Sequence, residues 1–309
     1  MIKNVVFKTT YNRSGRHAVN CEQLRAGRLK MSYKIIVDSC GELTEEMKAS
    51  GHFETASLQI DVAGHHIIDD ETFDQKKFLK LVAESPECPK SSCPSPERYM
   101  EGYHCEEDRV YAVTLSAELS GSYNSAVLGK ELYHEEYGEK DIYVFNSRSA
   151  SVGETLIAMK IRECEEKGMA FEKVVETVEA YIREQDTYFV LETLDILRKN
   201  GRLTGVKAVV ATVLNIKPVM GATEAGTICQ LGQARGIKKA LVKLVDEVVK
   251  NLKNPKEKVL AISHCNCRKR AEYVCDMLKA KAQFKDVVIL DTAGISSMYA
   301  ADGGVIVVV

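Results

Sequence analysis

Short β-branched runs alternate with amphipathic stretches along this chain, and that alternation constrains the fold more than any other feature. The runs YKIIVD from Tyr33, RVYAVTL from Arg109 and DIYVFNS from Asp141 are brief and apolar. Strands of a parallel sheet read this way because helices cover both of their faces. Between them, TEEMKAS, DQKKFLKLVAES, PERYMEGYHC and the stretch from Gly121 to Glu136 read as helices. Thr44 suits an N-cap, Phe78, Leu81 and Val82 share one helical face, and Pro96 fits a first turn. Strand and helix in turn predict a mostly parallel α/β sheet. ASLQIDVAGHHIID breaks the pattern, since Ala63-Gly64 between two strand-like runs signals a hairpin.

The second half changes character. GETLIAMKIRECEEKG and FEKVVETVEAYIREQ are helices, and TYFVLE is a strand. IKPVMGATEAGTICQLGQARG holds two strands around a turn-rich centre, which predicts antiparallel pairing. A long helix from Ile237 follows, then KVLAISHC, RKRAEYVCDMLKAKA and DVVILD as β, α, β, and GGVIVVV as a last strand. The expected architecture is therefore α/β with two domains. A mostly parallel α/β domain spans 31–160 and an α+β domain spans 161–309, with the boundary near 155–170.

Composition bounds the function. A chain of 309 residues, 45% of them hydrophobic, has material for a sizeable core. A net charge of −2 leaves no basic surplus for wrapping phosphates, so nucleic acid is not an expected partner. No apolar run approaches the roughly 18 residues of a membrane span. Ten cysteines without any C-x-x-C pair, and without a secretory h-region before them, read as reduced thiols of a cytoplasmic protein. Residues 1–30 stand apart: seven Lys/Arg against Glu22 alone make them about +6 and leave about −8 elsewhere. This segment reads as a disordered tail, as a start assigned upstream of Met31, or as an Arg-rich targeting peptide.

Four places carry candidate chemistry. Asp38-Ser39 closes the first strand, where ligands of open parallel sheets bind, although a turn or cap is an equal reading. PKSSCPSP sets Ser91 and Ser92 between prolines that stiffen a loop, which suits either donors to an oxyanion or a capped connector. TLSAELSGSYNSA places Ser116, Ser120 and Ser122 just ahead of a helix whose unpaired N–H groups favour anions; an N-cap is the plainer reading of Ser120. Arg202, after Gly201 in NGRL, can reach a ligand, clamp two segments or form a surface ion pair. HCNC, from His264 to Cys267, has metal-ligand residue types without the spacing of a closed zinc site, and no metal is expected. His65-His66 reads as part of a strand. Nucleotide-binding glycine loops and a G-x-S-x-G elbow are missing from the sequence.

Taken in order, these motifs resemble the DegV family. The resemblance rests on Asp38-Ser39, on SSCPS from Ser91 to Ser95, on LSGSY from Leu119 to Tyr123, and on Asn146-Ser147 after a strand. It continues through NGR from Asn200 to Arg202, the strand Leu214 to Pro218 and the helix start Arg235 to Leu241, covering residues 33–309. It implies a two-domain fold that holds one long-chain fatty acid between the domains, with no cofactor. It further implies that, as in some bacteria, the acid is presented to a separate ATP-using fatty-acid kinase. The family's carboxylate contacts carry over to Ser91 and Ser120, and its head-group or kinase contact to Arg202. Ser92, Ser116 and Ser39 are further head-group candidates. Three departures stand out: Ser91 replaces the commoner Thr, Asn200 replaces a Gly, and Ala300 stands where the family usually has a His, which in some members supports transfer to the kinase.

The physics suits that reading. A partly buried carboxylate needs several donors, and two hydroxyls with a helix N-terminus supply them. Burial of a 16-carbon tail grosses on the order of 10 kcal/mol at about 0.8 kcal/mol per CH₂. Two other readings remain at this level: an enzyme acting on a phosphorylated small metabolite, and a ligand-free regulatory or scaffold protein.

Overall fold

A computed structural model describes residues 32–203 and 215–309. The 1–30 segment and Leu214 lie outside the described residues. The first strand, β1 (Tyr33–Asp38), sits inside a four-stranded parallel sheet between β2 (Phe53–Ala56) and β6 (Arg109–Thr114), with β7 (Asp141–Asn146) beyond β6. Side chains alternate across it. Tyr33, Ile35, Val37, Tyr111, Val113 and Phe145 point to one core. Ile36, Val110, Ala112 and Val144 point to the other.

Helices cover both faces, as the apolar runs predict. α3 (Pro96–Tyr103) and α4 (Ser122–Tyr137) lie on one side, with Tyr99, Tyr103 and Ala126 in that core. On the other lie α5 (Val152–Glu166) and α6 (Phe171–Arg183), through Ile157, Ile161, Val174 and Val178. α1 (Glu45–Ala49) starts at Thr44, whose hydroxyl accepts from Met47 N as the cap reading expects. α2 (Gln75–Glu84) starts likewise at Asp74 and buries Phe78.

The hairpin is present: β3 (Gln59–Val62) and β4 (His65–Ile68) pair antiparallel, with positive φ at both Ala63 (49°) and Gly64 (74°). The Pro-rich stretch differs from expectation. It is not all loop; β5 (Lys90–Ser92) adds to β3 as a third antiparallel strand and holds Ser91 opposite Ile60. Three residues flanked by prolines carry too little periodicity to announce a strand.

The second sheet has six strands, in the order β10-β9-β8-β13-β11-β12. β9 (Ile216–Ala222) and β10 (Ile228–Arg235) form the expected antiparallel pair. β8 (Thr187–Val190) joins β9 to β13 (Val305–Val308), which runs antiparallel to both its neighbours. β11 (Val259–His264) and β12 (Asp286–Asp291) are parallel. α8 (Ile237–Asn251) and α9 (Arg268–Lys281) cover one face, packing on Tyr188, Val190, Leu260, Ile262 and Val307. α7 (Asp195–Lys199) and α10 (Gly294–Ala300) complete the helices among the described residues.

The expected junction at 160/161 falls inside α5. Ile157, Ala158 and Ile161 of this helix pack under the parallel sheet, while Val152 and Leu156 pack on Ala261 and Val308 of the mixed sheet. α6 also belongs to the parallel sheet's core, so the chain passes between sheets only after Arg183. Residues Ser32–Val309 form one compact unit. None of the described helices is long and apolar enough to cross a membrane.

Candidate functional site

The face of the mixed sheet turned away from α8 and α9 carries Phe189, Met220 and Ile228, joined by Leu191, Leu197, Cys265 and Ala300. Opposite stands a second cluster, built from Leu58, Ile60, Phe78, Leu115, Ile295 and Met298. Leu119 and Tyr299 pack against both. Between the clusters lies a cleft of about 750 Å³ of space free of atoms, solvent at its mouth included. Leu115, Leu119, Phe189, Leu197, Ile228 and Ile295 wall it.

The few hydroxyls on its wall have protein partners. Ser149 and Thr187 bond each other at 2.6 Å. Ser151 Oγ donates to Glu42 and lies 2.6 Å from Ser263 Oγ. Ser296 Oγ donates to Cys40 O at 2.9 Å, and Tyr299 OH lies 3.0 Å from Ser91 Oγ. With these hydroxyls bonded to protein groups, the wall is largely apolar, and Arg148 and Arg202 are its charged residues.

The predicted motifs converge beside this cleft. Cys93 Sγ lies 3.7 Å from Ser125 Oγ, and a Cβ on Gly121 would stand 3.2 Å from Cys93 Sγ, so the SSCPS and LSGSY stretches touch. NGR joins both. Asn200 Nδ2 donates to Pro89 O at 3.0 Å, and Arg202 Nε donates to Leu119 O at 3.1 Å. Arg202 itself lines the cleft. The left-handed residue of that turn is Gly201 (φ 73°), whereas Asn200 lies at φ −88° and contributes through its amide.

The serines separate by role. Ser120 Oγ accepts from Ser122 N at 3.2 Å, which leaves its proton free to donate to an anion. Ser91 reaches the cleft through Tyr299; neither Ser91 nor Ser120 is on the wall itself. Ser92 is exposed, with Gln59 Oε1 at 3.5 Å. Ser116 is fully buried and donates to Gly226 O at 2.8 Å, tying this junction to the β9–β10 turn. Ser39 is buried, and its Oγ accepts from Leu58 N. Ala300 is buried and lines the cleft.

Asp38 does not face the cleft. It is fully buried, and its carboxylate accepts from Cys40 N (3.1 Å), Leu115 N (2.9 Å) and Ser122 Oγ (2.6 Å). Sequence reasoning missed three neighbouring buried acids, Glu42, Asp69 and Glu154, as well as Tyr299. Burial pushes the Glu42 carboxyl up to about 7 and the Asp69 carboxyl up to about 6, although Ser151 donates to the first and Gly294 N and Ile295 N to the second. Asp38, Cys40 and Glu154 are the one set of three acid, Cys or His side chains among the described residues with ligand atoms all within 4.8 Å of one another. His264, Cys265 and Cys267 are not such a group. All nine cysteines among the described residues are free thiols.

A family model described as "Uncharacterised protein, DegV family COG1307" matches residues 32–309. A DegV domain-containing protein of Streptococcus pneumoniae is 34% identical over 278 residues, covering 89% of this chain and 98% of the relative. A Ruminococcus gnavus protein of the same family, described with vaccenic acid, is 63% identical with a TM-score of 0.89, over 90% of this chain and 100% of that one. The Streptococcus pneumoniae Fatty Acid Kinase (Fak) B3 protein, loaded with linoleic acid, is 32% identical with a TM-score of 0.80, over 90% and 99%.

Proposed function

The chain belongs to the DegV family, and from that premise we propose that it binds one long-chain fatty acid in the cleft between the six-stranded sheet and the cluster built on β3, α2 and α10. The observation that carries this reading is the wall of the cleft: apolar side chains, with hydroxyls that already hold protein partners. Such a surface rewards an acyl chain, at about 0.8 kcal/mol per CH₂. The relatives described with vaccenic and linoleic acids support it. The four-stranded and the six-stranded sheet, each with its helices, act as the two domains, and the acid lies between them.

The carboxylate sits where the three motifs meet. Ser120 donates its free proton, Ser91 exchanges its bond to Tyr299 for one to the acid, and Arg202 holds both loops together from the wall. These donors orient the head group while the tail supplies most of the affinity. A small phosphorylated metabolite would need a polar wall, whereas most of this one is apolar, its hydroxyls are committed and only Arg148 and Arg202 bring charge, which counts against an enzyme of that kind. The protein is a carrier rather than a catalyst, and it presents the acid to a fatty-acid kinase. Ala300 replaces the histidine of that step, so transfer here proceeds without an imidazole at this position.

The test is oleate uptake by delipidated protein, measured by calorimetry. Ser91→Ala and Ser120→Ala should each weaken binding about tenfold, the value of one charge-assisted hydrogen bond of roughly 1.5 kcal/mol. Unchanged affinity in both variants would place the carboxylate elsewhere.

A further inference from the structure

The carboxyl ends of β1 and β6 meet over a knot of buried acid that the fatty-acid reading leaves without a task. Asp38 accepts three hydrogen bonds there. Glu154, in the first turn of α5, is also fully buried, and neither of its carboxylate oxygens has a hydrogen-bond partner. It lies within 4.8 Å of Asp38 and Cys40, measured between their ligating atoms. The packing around it is close: a Cβ on Gly41 would stand 2.8 Å from Glu154 Cβ and 2.7 Å from Val37 Cγ1.

The ionisable groups facing this pair are Cys40 and Glu42 from the loop after β1, Asp69 from the loop after β4, and Tyr99 from α3. None of them is a cation. Two ionised carboxylates at this separation, both out of water, are mutually repulsive and undersolvated. A single proton resolves this, because a protonated carboxyl becomes a donor and its neighbour remains an acceptor.

We propose that Asp38 and Glu154 hold one proton between them, Glu154 as the neutral acid donating to charged Asp38, and that this pair positions the junction carrying Ser120. Asp38 grips that junction on both sides of Ser120, at Leu115 N and at Ser122 Oγ. Losing the proton would repel Glu154 from Asp38 and loosen the grip. Burial raises both carboxyls, Glu154 the more strongly, in keeping with Glu154 as the protonated partner. The pair makes Asp38 and Glu154 positioning residues, not ligands. Only its consequence for the ligand rests on the fatty-acid reading.

The experiment uses delipidated full-length protein, with Glu154→Gln and Asp38→Asn, unfolded by urea between about pH 5 and 8.5. An amide replaces the O–H donor, so Glu154→Gln should fold with a midpoint close to wild type at about pH 5, near the unfolded value of a Glu carboxyl, and should exceed wild type increasingly as pH rises. Its unfolding equilibrium constant should rise with pH about tenfold per unit less steeply, because one retained proton is gone. Asp38→Asn should lose stability at every pH and, after reloading, should release oleate faster. Equal pH slopes in wild type and Glu154→Gln would overturn the proposal. So would a stoichiometric metal ion, found by elemental analysis of wild type and lost in Glu154→Gln, since a cation would then hold the pair. If Glu154→Gln does not fold, infrared spectroscopy of wild type at about pH 8.5, above the range where Glu42 and Asp69 ionise, decides it. A protonated-carboxyl band must persist there, and its absence would refute the shared proton. None of the unfolding or infrared readouts involves fatty acid, so a protein that bound no lipid could still pass them.

Discussion

Replacing Ser122 by Ala should destabilise the protein without touching its ligand contacts directly. Ser122 Oγ donates to Asp38 Oδ2 at 2.6 Å and lies 2.7 Å from Tyr99 OH, and all three residues are fully buried. Alanine removes one charge-assisted bond, worth about 1.5–3 kcal/mol, and strands a buried phenol at about 1–3 kcal/mol more. Partial relaxation leaves a net cost of about 3 kcal/mol. A unit spanning Ser32–Val309 has an unfolding entropy near 0.6 kcal/mol/K at about 2.1 cal/mol/K per residue, so Tm should fall by about 5 °C. The assay is urea and thermal unfolding of Ser122→Ala beside Ser116→Ala and Ser120→Ala. Ser116 makes one neutral bond, to Gly226 O, and should cost about 1 kcal/mol. Ser120 is half-buried and should cost less, yet it should lose ligand where Ser116→Ala does not. A loss at Ser122 no greater than at Ser116 would refute the argument that Asp38 anchors this junction through Ser122.

Other outcomes follow from the same geometry. The Glu42 and Asp69 carboxyls are raised in the fold, to about 7 and about 6, above their unfolded values. Their stabilising effect is therefore full in acid, below the unfolded values, and is lost as pH rises to the folded ones; urea midpoints should fall between about pH 4 and 7, and Glu42→Gln should flatten part of that fall. Gly226 has φ 90°, and a Cβ there would stand 2.3 Å from Ser116 Oγ. Gly226→Val should cost more than about 2 kcal/mol in chemical unfolding. Arg202 donates to both Leu119 O and Asn200 O. Arg202→Ala should weaken oleate binding several-fold in calorimetry, and Arg202→Lys should not restore it, because an ammonium lacks the planar fork that reaches both carbonyls.

Much of the fold was legible because burial leaves a period in the sequence. The parallel strands announced themselves as apolar runs, and Thr44 and Ala63-Gly64 marked a cap and a hairpin that the structure contains. β5 was not legible, since three residues among prolines show no alternation. α10 was missed because its small residues, Gly294, Ser296 and Ser297, are buried without an amphipathic stripe. The expected junction at 160/161 falls inside a helix that packs on both the parallel and the mixed sheet, and local pattern cannot say what lies on the far side of a helix.

The motifs behaved similarly. SSCPS, LSGSY and NGR were found as short polar punctuation, and the structure brings them together. Asp38 was found as well, but its role depends on Leu115 and Ser122, far away in sequence. Glu154 and Glu42 carried no signal, since a lone Glu in a helical first turn or a loop is ordinary on a surface. Only tertiary contact reveals that these are buried. Tyr299 was hidden beside the more conspicuous Ala300, and its bond to Ser91 spans most of the chain.

The central claim is that a fatty acid occupies the cleft, and native mass spectrometry of the freshly purified protein tests it most directly. One added mass should appear, matching a single long-chain fatty acid, released on denaturation and recovered in the lipid extract. Added oleate should restore it after delipidation. A protein that carries no such mass and takes up no added oleate would contradict the account.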